Sequence, residues 1–195
     1  GYMNHKLLNK VKRKSDKKKT HSTSTPIPTD EQAKIFDTVI ITDRRGMRFT
    51  HYSSDSESFE VVITKDFYEP ELCAMEKLVK NGSTVIDVGA NIGLFSVFLS
   101  REIGEKGKLF AFEPIKETFW RMRENLALNK CANVIPFQAA VSNKQGKATM
   151  NVFPEGYGAW NTFGKPVFGK IAPVAVEKVD ILSLDSFAKS QSIKK

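Results

Sequence analysis

The chain has 195 residues, 41% of them hydrophobic, which suits one domain with appendages better than two full domains. It contains no run of about eighteen apolar residues, so the sequence offers no membrane-spanning helix, and its basic start lacks the apolar stretch of a secretory signal. Two cysteines, Cys73 and Cys131, are too few for a disulfide framework. They predict reduced thiols in a cytoplasmic protein.

The net charge of +8 is concentrated at the N-terminus, where residues 1–20 hold eight Lys or Arg and a single acid. A Ser, Thr and Pro-rich stretch follows, so we expect residues 1–30 to form a disordered basic tail and a linker. Such a tail could bind nucleic acid phosphates or an anionic membrane surface. A solvated arm without a partner is the favoured interpretation.

Residues 31–69 are predicted to form a small lead-in β element. The apolar runs Phe36–Thr42 and Phe59–Thr64 have the composition of strands, and a polar stretch with Gly46 lies between them.

From Pro70 onward the pattern alternates between helix and strand, with short connections. The first helix is expected to run from Pro70 to the Asn81-Gly82 stop. The elements predicted after it are strand Thr84–Val88, helix Phe95–Ile103, strand Lys108–Phe112, a helix from Ile115 to Asn129, and strand Val134–Phe137. This alternation predicts an α/β fold with a doubly wound, mostly parallel sheet covered by helices.

After Ser142 the alternation ends. Lys147–Val152 and Val174–Val179 are predicted strands on either side of a Gly and aromatic-rich segment, Phe153–Phe168, which favours an antiparallel insertion. Residues 70–195 are therefore expected to form one ligand-binding domain.

The turn within Thr84–Gly93 carries the functional signal. Gly89 and Gly93 lie where the first strand turns into its helix, and ligands of open α/β sheets bind at that end of the strands. A dinucleotide fingerprint would need a glycine where Asn91 stands. Asp87 also precedes the turn, and a carboxylate about 4 Å from a phosphate would cost about 4 kcal/mol at an effective dielectric of 20. A sulfonium with an ammonium group would gain from that carboxylate, which favours S-adenosylmethionine over NAD.

A second carboxylate, Glu113, ends the next strand in Phe-Ala-Phe-Glu-Pro. It could accept hydrogen bonds from both hydroxyls of a ribose. Either acid alone is weak evidence, because Asp87 could cap the turn and Glu113 could be a surface residue before Pro114. The two acids together indicate a S-adenosylmethionine site.

These motifs resemble those of the FkbM-type methyltransferases, within the Rossmann-like methyltransferases. The match covers about residues 66–187. The matching segments are Tyr68–Glu71, Thr84–Gly93 with Phe95-Ser96, Phe110–Pro114, Asn125, Leu128-Asn129, Asn133-Val134 and Ala140–Asn143. The resemblance implies the N-terminal half of a seven-stranded fold and methyl transfer to a hydroxyl of a small molecule or sugar.

The resemblance also implies roles for individual residues. Asp87, Gly89, Ala90, Asn91 and Gly93 would line the methionine and ribose side of the cofactor. Glu113 would hold the ribose, Pro114 would lie beside the adenine, and Ala140 and Val141 would flank it. Many relatives carry an acid near position 140, so adenine selectivity here would come from backbone groups. Family members continue into a further strand with an Asp-Val-Glu-Gly motif, so we expect this chain to be a partial sequence with one sheet edge and one apolar sheet face uncovered.

Other candidate residues are few. No nucleophilic triad or metal cluster is visible, so no metal is expected and the general base is unassigned; His5, His21 and His51 are poor candidates. Tyr157, Trp160 and Asn161 could cover an acceptor, although an exposed hairpin loop is an equal alternative. Tyr68 and Glu69 could touch the methionine end of the cofactor, while Glu69 would also suit a helix N-terminus.

Two other functions remain open from the sequence. A nucleic-acid methyltransferase or binding protein could use the basic tail, but no basic patch interleaved with aromatics lies near the turn. An NAD-dependent oxidoreductase is disfavoured by Asp87 and Asn91.

Overall fold

The computed structural model describes residues 39–52, 68–153 and 172–193. Three predictions lie outside these residues: the basic tail and linker, the strand at Phe59–Thr64, and the acceptor segment with Tyr157, Trp160 and Asn161. The division of the chain at residues 30 and 69 stays a prediction.

The first described element is a hairpin of strands β1 (Val39–Thr42) and β2 (Arg48–His51), which pair antiparallel. Strand β2 was not predicted: it begins two residues after Gly46, within the polar stretch between the two apolar runs. Phe49 is fully buried, and its neighbours in β2 are polar, so one apolar side chain anchors the strand. Helix α1 (Glu69–Leu78) follows.

The central sheet consists of β3 (Thr84–Val88), β4 (Lys108–Phe112) and β5 (Val134–Phe137), parallel and in that order. Helices α2 (Leu94–Ile103) and α3 (Lys116–Leu128) connect them. One face of the sheet packs on these helices in the main core, which includes Leu109, Ala111, Val97, Phe98 and Met122. This strand–helix alternation confirms the predicted Rossmann-like α/β fold.

A second sheet has the order β6 (Ala140–Ser142), β8 (Ala175–Ser183), β7 (Gly146–Val152). Strands β7 and β8 pair antiparallel, which confirms the predicted insertion. The parallel pairing of β6 with β8 was not predicted, and β8 extends four residues beyond the expected end at Val179.

Helix α4 (Leu184–Ser190) covers the other face of the central sheet. Its Phe187 ring lies 5.0–5.2 Å, centroid to centroid, from the rings of Phe110, Phe112 and Phe137. Phe110 and Phe112 are therefore almost completely buried. The expectation of an uncovered apolar sheet face was wrong for these residues, because a seven-residue helix with one buried aromatic supplies the cover. None of the helices in the described part of the chain has the length and apolar character needed to cross a membrane.

Candidate functional site

The turn between β3 and α2 is built from backbone hydrogen bonds to the neighbouring strand. The amides of Gly89 and Ala90 both donate to the Phe112 carbonyl oxygen at 2.9 Å, so the ends of β3 and β4 are joined. Gly89 and Gly93 have φ of +78° and +89°. A Cβ at Gly93 would lie 3.0 Å from Met122 Cγ, whereas one at Gly89 would meet nothing within 4 Å. Gly93 thus permits close helix packing, and Gly89 borders open space in which a ligand can approach the backbone.

Asp87 lies near the end of β3 and is half-buried. The buried Ser96 hydroxyl, in the first turn of α2, donates to Asp87 Oδ2 at 2.6 Å. Burial raises the pKa of Asp87, and the Ser96 hydrogen bond opposes that rise because it stabilises the ionised form. The sequence allowed that Asp87 caps the following turn. Asp87 does bond to the start of α2, but its partner there is the Ser96 side chain and not a backbone amide.

Glu113 follows β4 and is only 5% exposed, so the interpretation as a surface residue was wrong. Its Oε2 accepts the Asn91 amide and its Oε1 accepts the Ile115 amide, both at 3.0 Å. Burial raises the pKa of Glu113 to about 7; the two amides oppose this rise, and the charge of Asp87 adds to it. The two carboxylates therefore lie close enough at one end of the sheet to interact electrostatically. Glu113 also holds the turn through its hydrogen bond with the Asn91 amide.

The remaining predicted residues of the turn and adenine region occupy different surroundings. Ala90 is buried in the main core. Ala140 is buried in a cluster with Ile115, whereas Val141 packs in the cluster around Phe187. Pro114 is half-buried directly after Glu113. The roles of these residues beside an adenine stay predictions.

Glu69 is engaged by arginines of the hairpin. Arg45 contacts both of its carboxylate oxygens, at 2.6 Å and 3.1 Å, and Arg44 Nη2 lies 3.2 Å from Oε1. The hydrogen bonds from Arg45 lower the pKa of Glu69 to about 2. Tyr68 packs edge-on against Phe95, two residues beyond Gly93, with ring centroids 5.3 Å apart. The structure thus places Tyr68 against the start of α2 and binds the Glu69 carboxylate to arginine; its contact with a cofactor stays a prediction.

Sequence reasoning missed the role of Asn125, which is fully buried in α3. Its Nδ2 donates to the Ile92 carbonyl oxygen in the turn at 2.9 Å, and its Oδ1 accepts the Thr50 amide of β2 at 2.8 Å. A signal was present, because Asn125 follows Met122 by three residues on the apolar stripe of the helix. A polar residue on a buried face needs hydrogen-bond partners.

The described residues contain no group of three or more His, Cys, Asp or Glu placed to hold a metal ion. The site is instead a glycine turn with one half-buried and one buried carboxylate, Asp87 and Glu113, at the ends of parallel strands in a Rossmann-like fold. The family model of the methyltransferase FkbM domain matches residues 87–195, more than half of the chain. The chain therefore belongs to the FkbM methyltransferase family, as its motifs indicated.

Similar proteins cover only parts of the chain. Methyltransferase sdnD of Sordaria araneosa is 37% identical over 71 residues, 36% of this chain and 27% of that protein. The 31-O-demethyl-FK506 methyltransferase FkbM of Streptomyces tacrolimicus is 36% identical over 78 residues, 40% of this chain and 29% of that protein. A solved SAM dependent methyltransferase from Aquifex aeolicus is 33% identical, with a TM-score of 0.35 over 39% of this chain and 40% of that one. The chain spans less than a third of the length of these two curated relatives.

Proposed function

We propose that this chain is the cofactor-binding part of a methyltransferase that uses S-adenosylmethionine. The observation that carries the proposal is the pairing of Asp87 and Glu113 around the turn Gly89–Gly93. Within residues 39–52, 68–153 and 172–193, neither carboxylate forms an ion pair with a Lys or Arg. Two acids in one poorly solvated place favour a ligand that brings its own positive charge.

Each residue of the pair has a distinct task in this proposal. S-adenosylmethionine supplies an electrophilic methyl group on a positively charged sulfur. Asp87, held in place by Ser96, attracts that positive charge. Each oxygen of Glu113 already accepts one amide and keeps a second lone pair, so the carboxylate can accept the two ribose hydroxyls without releasing the turn. The open space beside Gly89 lets the ligand reach the backbone.

The acceptor in this proposal is a hydroxyl of a small molecule or sugar. The support is the relative from Streptomyces tacrolimicus, whose name gives it an O-demethyl compound as substrate. Methyl transfer to a hydroxyl needs in-line placement of the oxygen, exclusion of water and removal of the hydroxyl proton. Tyr157, Trp160 and Asn161 are the proposed acceptor-covering residues.

The competing ligand, NAD, would bring an anionic pyrophosphate to the same turn. Asp87 would then face like charge without compensation from a neighbouring cation. A nucleic acid acceptor would depend on the basic residues 1–20. Removal of that segment distinguishes this alternative from a small-molecule acceptor. Unchanged methyl transfer to a small hydroxyl compound after the removal would reject the nucleic acid as the acceptor.

Thermal unfolding with S-adenosylhomocysteine tests the cofactor. A ligand at a hundred times its dissociation constant raises the free energy of unfolding by about 2.7 kcal/mol. For a chain of this size that is a rise in Tm of roughly 5–10 °C. The Glu113→Ala variant should lose most of the shift, whereas the control Glu117→Ala, at an exposed position in the first turn of α3, should keep it. A shift with NAD and none with S-adenosylhomocysteine would overturn the assignment.

A further inference from the structure

Strand β2 is bound along helix α3 by side chains that replace a neighbouring strand. Asn129 accepts the Arg48 amide at 2.9 Å and donates to the Arg48 carbonyl oxygen at 2.6 Å. One helical turn earlier, Asn125 accepts the Thr50 amide at 2.8 Å. A further turn earlier, Arg121 Nη2 donates to the Thr50 carbonyl oxygen at 2.6 Å. Side chains four residues apart on one helix face thus pair with alternate residues of a strand, as a second strand would.

Asn125 extends this pairing to the glycine turn. The amide half of its side chain donates to the Ile92 carbonyl oxygen, while the carbonyl half accepts from Thr50. Ile92 directly follows Asn91, whose own amide is bonded to Glu113. One buried carboxamide therefore connects the hairpin to the backbone that carries the cofactor-facing residues. Asn129, which directly follows α3, bonds instead to Arg48, to Arg101 and to the Asn125 carbonyl oxygen.

We infer that Asn125 is a positioning residue for the cofactor site and that the β1–β2 hairpin is part of the support of that site. The inference rests on the proposed function for its ligand. It goes beyond the family match, because the hairpin at residues 39–51 lies outside the matched residues 87–195. It follows that binding at the turn and docking of the hairpin are coupled, and such coupling is reciprocal.

The matched pair Asn125→Leu and Asn129→Leu tests the inference in the full chain. Both substitutions keep the branched shape of the side chain, and both remove hydrogen bonds between α3 and β2. Two quantities are measured at a temperature at which both variants are folded: the hydrogen-exchange rate of the Asn91 amide without ligand, by NMR, and the affinity for S-adenosylhomocysteine, by calorimetry. Amide exchange in β4 is measured alongside, because a general loss of stability would speed exchange there as well, whereas loss of the Asn125 contact should act on the turn.

Asn125→Leu should speed exchange at Asn91 by about tenfold and weaken the affinity by a similar factor, about 1.4 kcal/mol. Asn129→Leu should change each quantity less than twofold. A third variant, Asn125→Asp, keeps the acceptor for Thr50 and loses the donor to Ile92. Asn125→Asp should speed exchange at Asn91 while the Thr50 amide stays protected. If Asn125→Leu does not fold, this variant tests whether Asn125 positions the turn.

Equal effects of Asn125→Leu and Asn129→Leu on affinity would overturn the inference, because the contact would then serve stability alone. Unchanged Asn91 exchange in Asn125→Leu would overturn it too. If the parent chain does not bind S-adenosylhomocysteine, the proposed function fails, and the exchange rates at Asn91 still decide whether Asn125 holds the turn.

Discussion

Strands β3 to β5 are held by apolar side chains on both faces of their sheet, whereas strand β2 is bound along α3 by amide and guanidinium groups. In the sheet, Phe110 and Phe112 are nearly inaccessible to solvent. In the hairpin, Asn125 and Asn129 pair with the strand backbone. The strands of the first region are therefore specified by their own sequence pattern, and the strand of the second by residues about 75 positions away. The glycine turn lies where the two regions meet.

The largest effect is expected in the sheet. Phe112 stacks on Phe137 with ring centroids 5.0 Å apart and contacts Phe187 edge-on. Phe112→Ala should lower the free energy of unfolding by about 3–5 kcal/mol, because it leaves a cavity between the sheet and α4. Denaturant unfolding measures it. The control Val88→Ala, at a position 52% exposed, should change stability by about 0.5 kcal/mol or less. Similar losses of unfolding free energy at both positions would contradict the view that buried apolar side chains hold this sheet.

Glu113, at the boundary of the two regions, should make stability depend on pH. Its pKa is raised from 4.5 to about 7 in the folded chain, so the folded state binds the proton more tightly. Stability should therefore decline as pH rises from about 4.5 to about 7, by about 3 kcal/mol in total, since each pKa unit corresponds to about 1.4 kcal/mol. The decline should be smaller in Glu113→Gln, in which Asp87 is the remaining carboxyl with a raised pKa among the residues that the structure describes. Identical pH profiles for parent and variant would contradict the buried position of this carboxyl.

A smaller effect is expected in the hairpin. Asn129→Ala removes the two hydrogen bonds to Arg48, each worth about 0.5–1.5 kcal/mol, so the free energy of unfolding should fall by about 1–3 kcal/mol. Amide exchange at Arg48 should rise while exchange in β4 is unchanged. A loss of protection in both places would mean that hairpin and sheet open together, and the contrast between them would then be wrong.

The smallest effect concerns an ion pair of the hairpin with α1. Arg45→Met removes the principal partner of Glu69, so the pKa of this carboxyl should rise from about 2 toward 4.5. In the parent chain the pair contributes stability above pH 4.5 that is lost as the pH falls toward 2. NMR titration of Glu69 measures the change. Arg48→Met, which removes an arginine that contacts the Leu128 carbonyl oxygen instead, should leave the titration unaltered.

Much of the fold could be predicted because its signal is local. Strands β3, β4 and β5 were predicted with their observed bounds, since each is an apolar run enclosed by polar or glycine-containing turns. Strand β2 was missed because a single buried side chain, Phe49, marks it. Helix α4 was missed because it is short, and only the distant ring cluster shows why Phe187 is buried.

In the candidate site, too, one part could be predicted from the sequence and another part could not. The rule that parallel strands end at one edge was enough to bring Asp87 and Glu113 together. It could not predict that Ser96 bonds to the first and the Asn91 amide to the second, because these contacts depend on the fold of the turn.

The most direct test of the central claim is calorimetric titration of the parent chain and Asp87→Asn with S-adenosylmethionine, S-adenosylhomocysteine and NAD. The substitution keeps an oxygen for Ser96 and removes the negative charge. We expect the parent to bind the first two ligands and not NAD, and the variant to lose more affinity for the sulfonium compound than for the neutral thioether. Equal affinities of parent and variant for both ligands, or saturable binding of NAD by the parent, would contradict it.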